Sequence, residues 1–437
     1  MKRGYLTYML LAISVLLVAS CLEEIDLETF GEQNFEPSLV VEGTMTDELK
    51  KQTIYLSRSD VRTDLETDTI YNINIPLGQG LRDSVNVERF AQVTVKVDGV
   101  TDIQFQEESA GTYVSIAPFA VASGSDYEVR IQTNDGATYQ SEPMALSGSA
   151  EITDVYAERM TNEFGIEGVM IYVDGRATGG DPENFRYTFE ETYKIIAPVW
   201  DDEEFRLTNY DPCALPVPTY DLEIVPREIQ NQVCYNTVPS NTIVLNNTAE
   251  RSDNTITRFP VHFINRDDFI ISHRYSIEVS QFVQDPDTYS YYEALKSFSA
   301  SGNIFSQVQP GALNANISRD GDPNELVLGY VEVASVAKRR TYFNYADLFP
   351  GEPLPPYPIT CGVHSSPESH ASFCATGMSM NNCPQSIIER VDLGLISYVG
   401  LNDQGIGTCP GPYTYVASLC GDCTLLGSNQ IPDFWEE

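Results

Sequence analysis

Apolar and polar residues alternate through Asp126-Tyr-Glu-Val-Arg-Ile-Gln-Thr133, and that period of two is the strongest constraint on the fold. Tyr127, Val129 and Ile131 point one way and Glu128, Arg130 and Gln132 the other, as in a strand with one buried and one wet face. Val93, Val95 and Val97 alternate in the same way with Thr94, Lys96 and Asp98. Asp98-Gly99 and Asp135-Gly136 follow strand-like runs, where tight hairpin turns need positive φ. About seven strand candidates fall between residues 37 and 146, which predicts an immunoglobulin-like β-sandwich over 37–147. Residues 60–90 break the pattern and read as a long excursion between strands.

A second β-rich domain is expected over 148–345, with strands at 168–173, 185–190, 242–245, 274–283 and 326–336. Asp285-Pro286 opens a capped helix near 286–300, with Tyr291, Leu295 and Phe298 as its buried stripe. Residues 197–236 look like an irregular, Pro-rich insertion carrying Trp200, Cys213 and Cys234. The fold class is therefore mainly β: two sandwich-like domains, one notable helix, and a disulfide-rich C-terminal segment over 346–437. That segment begins with the stiff Pro350-Gly-Glu-Pro-Leu-Pro-Pro-Tyr-Pro358 and carries Cys361, Cys374, Cys383, Cys409, Cys420 and Cys423. A chain of 437 residues accommodates this plan.

The N-terminus has Lys2 and Arg3, an apolar run from Tyr5 to Val18, and small residues ending in Val18-Ala19-Ser20-Cys21. These are the parts of an export signal, too short to span a bilayer comfortably. The cysteine resembles the acylated residue of a bacterial lipobox. Residues 1–20 would then be a lipoprotein signal peptide, Cys21 the lipidated (palmitate-bearing) first residue, and 21–36 an acidic tether. Glu23, Glu24 and Asp26 read either as a surface-export signal or as a plain solvated spacer. Of nine cysteines, eight remain beside Cys21, and export places them where thiols pair. Cys213 and Cys234 are expected to bridge, closing the insertion, and the other six to pair among themselves in one of 15 ways. A formal charge of −37 excludes nucleic-acid binding and disfavours anionic ligands.

No serine-nucleophile elbow, metalloprotease helix or phosphate loop is present. His262 and His273 lie in or beside strands and read as structural. Cys361, His364, His370 and Cys374 have zinc-like spacing, but disulfides fit an oxidising compartment better. Cys420-Gly-Asp-Cys423 matches a redox motif in spacing alone. Asp320, Asp322 and Glu325 offer oxygen ligands, yet a polar turn explains them more simply. No catalytic residue, metal or cofactor is therefore assigned. Trp200, beside four consecutive acids, is the one aromatic expected to contact a ligand, exposed at the edge of a recognition surface formed by the insertion.

Several stretches together are similar to an uncharacterised family of Bacteroidota outer-membrane lipoproteins, a domain of unknown function. They are Ser38-Leu-Val-Val-Glu-Gly43, Phe185-Arg-Tyr-Thr-Phe-Glu-Glu-Thr192, Arg274-Tyr-Ser-Ile-Glu-Val-Ser280, Tyr291-Tyr-Glu-Ala-Leu295, Asn303-Ile-Phe305, Val327-Leu-Gly-Tyr330, Cys420-Gly-Asp-Cys423 and Pro432-Asp-Phe-Trp435. The resemblance implies a non-enzymatic, lipid-anchored protein facing the cell exterior, working beside a TonB-dependent receptor in nutrient uptake. It transfers no catalytic residue. Two other classes stay open from the residues: a surface glycan hydrolase using paired carboxylates, and a structural or adhesive surface protein.

Overall fold

The computed structural model describes residues 37–59, 86–180, 182–212, 214, 217–249, 255–300, 313, 315–368, 386–407 and 410–437. The signal segment with Cys21, most of the expected excursion after residue 59, and Cys213, His370, Cys374, Cys383 and Cys409 lie outside them.

Seven strands build the first unit: β1 (Leu39–Thr46), β2 (Thr53–Arg58), β3 (Gln92–Val97), β4 (Thr101–Ser109), β5 (Thr112–Ser115), β6 (Tyr127–Gln132) and β7 (Thr138–Ser141). Their spatial order is β1-β2-β5-β4-β3-β6-β7. The first half of β4 pairs with β3 and the second half with β5, so one strand turns the corner between two layers. The alternation is realised as expected: Tyr127, Val129 and Ile131 are buried, with Val93, Val95, Leu39, Val41 and Ile54 in the same core. Asp98 and Gly99 both adopt positive φ (51° and 67°), the backbone a two-residue hairpin needs.

The second unit contains β8 (Ser149–Thr161), β9 (Glu167–Gly179), β10 (Asn184–Ile196), β11 (Glu203–Asp211), β12 (Thr219–Pro226), β13 (Val233–Pro239), β14 (Val244–Asn247), β15 (Thr255–Asn265) and β16 (Arg274–Gln284). Helix α1 (Pro286–Ala300), β17 (Ile317–Arg319) and β18 (Leu328–Asn344) follow. One layer is β15-β9-β8; the other is β13-β10-β16-β18, with β14 also beside β10. Val169, Ile171 and Val173 from the first layer meet Phe185, Tyr187, Tyr275 and Ile277 from the second.

The expected boundary at residue 147 is crossed twice. β17 pairs with β7, and Ile317, Val327, Val331 and Val333 join the first core. β18 runs in parallel beside β1 and then continues into the second unit, where Phe343 is buried. The two units thus share one 13-stranded sheet, while β15-β9-β8 remains a separate three-stranded one. Gly329 makes the approach possible: it sits opposite Val41 at φ 83°, and a Cβ there would lie 2.2 Å from the Val41 carbonyl oxygen.

The insertion is not irregular. β11 and β12 form an antiparallel hairpin, and β13 pairs with β10. Phe205 and Leu207 alternate with charged residues on β11, as Tyr220 and Leu222 do on β12. The C-terminal segment packs against this hairpin. Its α2 (Ile387–Asp392), β19 (Ile396–Leu401) and β20 (Tyr413–Ala417) bury Ile387, Ile388 and Tyr415 against those same aromatic and leucine side chains. Ser386 and Glu389 close a capping box at the start of α2.

The disulfides correct the expected pairing. Cys234 bonds Cys423 across 189 residues, and Cys361 bonds Cys420 across 59. Cys234 belongs to β13, wholly buried in the second core, and Cys423 docks in that same core. The hairpin closes its own loop by strand pairing, leaving the cysteine to bind a distant segment. Among the described residues no helix is long and apolar enough to cross a membrane.

Candidate functional site

The outer face of the first unit is set by strand parity. With Val41, Ile54 and Val331 turned into the core, Glu42, Tyr55 and Tyr330 face outward. Register places those three in one row across the sheet: Tyr330 pairs with Glu42, and Glu42 with Tyr55. Thr44 and Glu332 form the next parallel pair.

Helix α1 covers part of this face. The Asp285 carboxylate accepts the backbone N–H groups of Asp287 and Thr288, both at 2.9 Å, and Pro286 needs no such partner in the first turn. Tyr291, Leu295 and Phe298 are half-buried, as the predicted stripe requires, and Tyr292 joins them. Tyr291 stacks on Tyr330 with ring centroids 4.5 Å apart and meets Tyr292 edge-on at 5.5 Å. The uncovered part of the face is a groove of about 350 Å³, walled by Tyr291, Tyr292 and Leu295 and bordered by Glu42, Lys50, Lys51, Thr53 and Tyr55. Beyond the Tyr291–Tyr330 stack lies a second hollow of about 330 Å³, with Glu142 and Asp287 at its walls.

Beneath Tyr292 sits a buried ion pair. Arg186 on β10 bonds Glu332 on β18, whose side chain is 1 % exposed. Glu332 also accepts from Thr44 Oγ1 at 2.7 Å, Gln284 Nε2 at 2.8 Å and the Tyr292 hydroxyl at 3.4 Å. Four strands and α1 therefore meet on one carboxylate. The Arg186 guanidinium lies between the Phe282 and Tyr292 rings, 4.5 Å from each centroid. Burial opposes its charge, but the Glu332 carboxylate outweighs this and raises its pKa. Burial and the same carboxylate push the Tyr292 hydroxyl up, and burial takes Tyr330 to about 12. These phenols stay neutral and able to donate. Arg186 Nε and Gln284 Oε1 are buried without a hydrogen-bond partner among the described residues.

The residues singled out in the sequence are dispersed. Trp200 is half-buried rather than exposed at an edge: it packs on the second core and its Nε1 donates to Asn231 Oδ1 at 2.8 Å. His262 Nε2 lies 3.5 Å from Glu191 Oε2, with its ring against Phe189. His273 lines an apolar hollow of about 210 Å³ with Phe269, Leu354 and Tyr357, and burial followed by Lys194 lowers its pKa. Cys420 and Cys423 bond different partners, so their shared motif is not a redox pair. The acidic loop folds as a turn with Gly321 at φ 85°, and Glu325 takes the Tyr139 hydroxyl at 2.7 Å and pairs with Arg319. Among the described residues no group of three or more His, Cys, Asp and Glu is placed to hold a metal ion.

Local sequence does not disclose the buried pair. Arg186 lies between Phe185 and Tyr187, and Glu332 between Val331 and Val333, where strand alternation alone reads each charge as solvent-facing. Five of the stretches quoted for the family resemblance, 38–43, 185–192, 274–280, 291–295 and 327–330, fall on β1, β10, β16, α1 and the start of β18, the elements around this joint. No curated protein and no solved structure matches the chain. The model of one family, Domain of unknown function (DUF4249), matches residues 23–340, every strand from β1 to most of β18, and the chain belongs to that family.

Proposed function

We propose that this chain is a non-enzymatic lipoprotein of a Bacteroidota outer membrane, acylated at Cys21 and facing the cell exterior, which works beside a TonB-dependent receptor in nutrient uptake. The observation that carries the reading is Val18-Ala19-Ser20-Cys21 closing a short, positively headed apolar segment. The acidic stretch after it, rich in Glu and Asp, supplies a tether between membrane and first strand. The fused sandwiches form a rigid frame with a groove on one face, as suits a binding accessory.

Two measurements test it. Cys21→Ala should abolish lipid labelling and release the chain or leave its signal uncut, because each buried methylene of an acyl chain contributes about 0.8 kcal/mol to anchoring. Unchanged membrane retention would refute the anchor. The detergent-solubilised protein at native expression should co-purify with an outer-membrane barrel protein; recovery without one refutes the partnership.

A further inference from the structure

We infer that the groove between α1 and the outer face of β1 and β2 binds a short neutral saccharide, an assignment that rests on the chain being a binding protein. Charge narrows the ligand first. A chain of −37 repels anions, while at the groove Lys51 offsets Glu42 and Lys50 is paired with Glu48, leaving no net local charge to select a cation. A purely apolar ligand would strip water from Glu42 and those lysines without replacing its hydrogen bonds. A peptide adding as a strand needs a free sheet edge. Here β1 is paired on both sides, with β18 and β2, and β2 with β1 and β5.

What remains is a ligand with one apolar face and a hydrogen-bonding rim, the description of a pyranose ring. Tyr55 is 53 % exposed and stands in a row with Glu42 and Tyr330, offering a ring face to the C–H side of a sugar. The Glu42 carboxylate accepts from sugar hydroxyls, the Lys51 ammonium donates to them, and the Thr53 hydroxyl can do either. A volume of about 350 Å³ lies at the small end of ligand sites, which run from about 300 to 1,000 Å³.

Calorimetric titration of the detergent-solubilised full chain tests this, with maltose, cellobiose, xylobiose, mannobiose and N,N′-diacetylchitobiose as probes. At least one should bind with a Kd of about 1 mM or tighter. Tyr55→Ala should weaken that binding by about tenfold or more with an unchanged melting temperature, since the side chain is exposed. Glu42→Gln should weaken it as well. Phe164→Ala, at an exposed aromatic in the β8–β9 turn, should leave it unchanged. No binding of any probe up to about 10 mM overturns the assignment, as does binding insensitive to both groove variants, or tighter binding of a charged tripeptide than of every sugar. Receptor co-purification is read separately, so a chain that keeps its receptor but binds no sugar loses the groove assignment alone.

Discussion

Two buried joints hold distant parts of this chain together, and they do so by opposite means. At Glu332 one carboxylate collects hydrogen bonds from three other strands and α1, within a continuous sheet. At Cys234 a single covalent bond fastens the C-terminal segment to β13. The first joint works only if every partner is in place, because a buried charge left unpaired is costly. The second tolerates a small core around it: the C-terminal unit buries Ile387, Ile388 and Tyr415, while the second sandwich packs long strands of two layers around a much larger core. A large core can carry a demanding polar joint; a small one relies on staples.

The largest test of that contrast is Glu332→Leu, which leaves Arg186 buried without its counter-charge and should cost about 3–5 kcal/mol in urea unfolding. Adding Arg186→Met should recover most of the loss. An equal loss in single and double variants would mean that shape, not charge, governs the joint. Next comes Cys234→Ser with Cys423→Ser, expected to cost about 2–4 kcal/mol. Limited proteolysis should then cut between residues 346 and 437 while both sandwiches persist. Simultaneous loss of the sandwiches would show that the staple serves the whole molecule. Trp200→Phe removes the hydrogen bond to Asn231, beside the Cys423 attachment, and should cost about 0.5–1.5 kcal/mol.

The smallest effect is expected from acid. Burial raises the Glu191 pKa, but hydrogen bonds from His262 and Tyr275 outweigh it and leave the group below its ordinary 4.5. A carboxyl depressed in the folded state stabilises the fold above its unfolded pKa, and that contribution fades as pH falls through the folded value. Glu191→Gln should therefore flatten the decline of melting temperature below pH 4.5. An unchanged slope would assign acid sensitivity to other carboxyls.

What the sequence discloses follows from the range of the forces involved. Period two in β3 and β6, the capped start of α1 and the mainly β class are local, and all are legible. The β11–β12 hairpin was equally local, yet prolines and acids around Phe205 and Tyr220 masked its alternation. The return of β17 and β18 to the first core depends on pairing across most of the chain, which no window of residues contains. The same holds for the groove. Glu42, Tyr55 and Tyr330 form a row only because β18 lies beside β1. Cysteine parity signalled disulfides, but partner choice belongs to tertiary packing, and Cys234 found Cys423.

The parallel pairing of β1 with β18 also governs the order in which the molecule can be assembled. Thr44 and Glu332 stand 288 residues apart in sequence, so β1 has one open edge until nearly all of the second sandwich has been delivered. Closing a loop of that length is entropically slow and comes after local hairpins such as β3–β4 and β8–β9 have formed. Refolding should accordingly show early strand signal followed by a late, concerted step in which β18 docks, and a chain ending before residue 328 should keep β1 exposed as a template for aggregation.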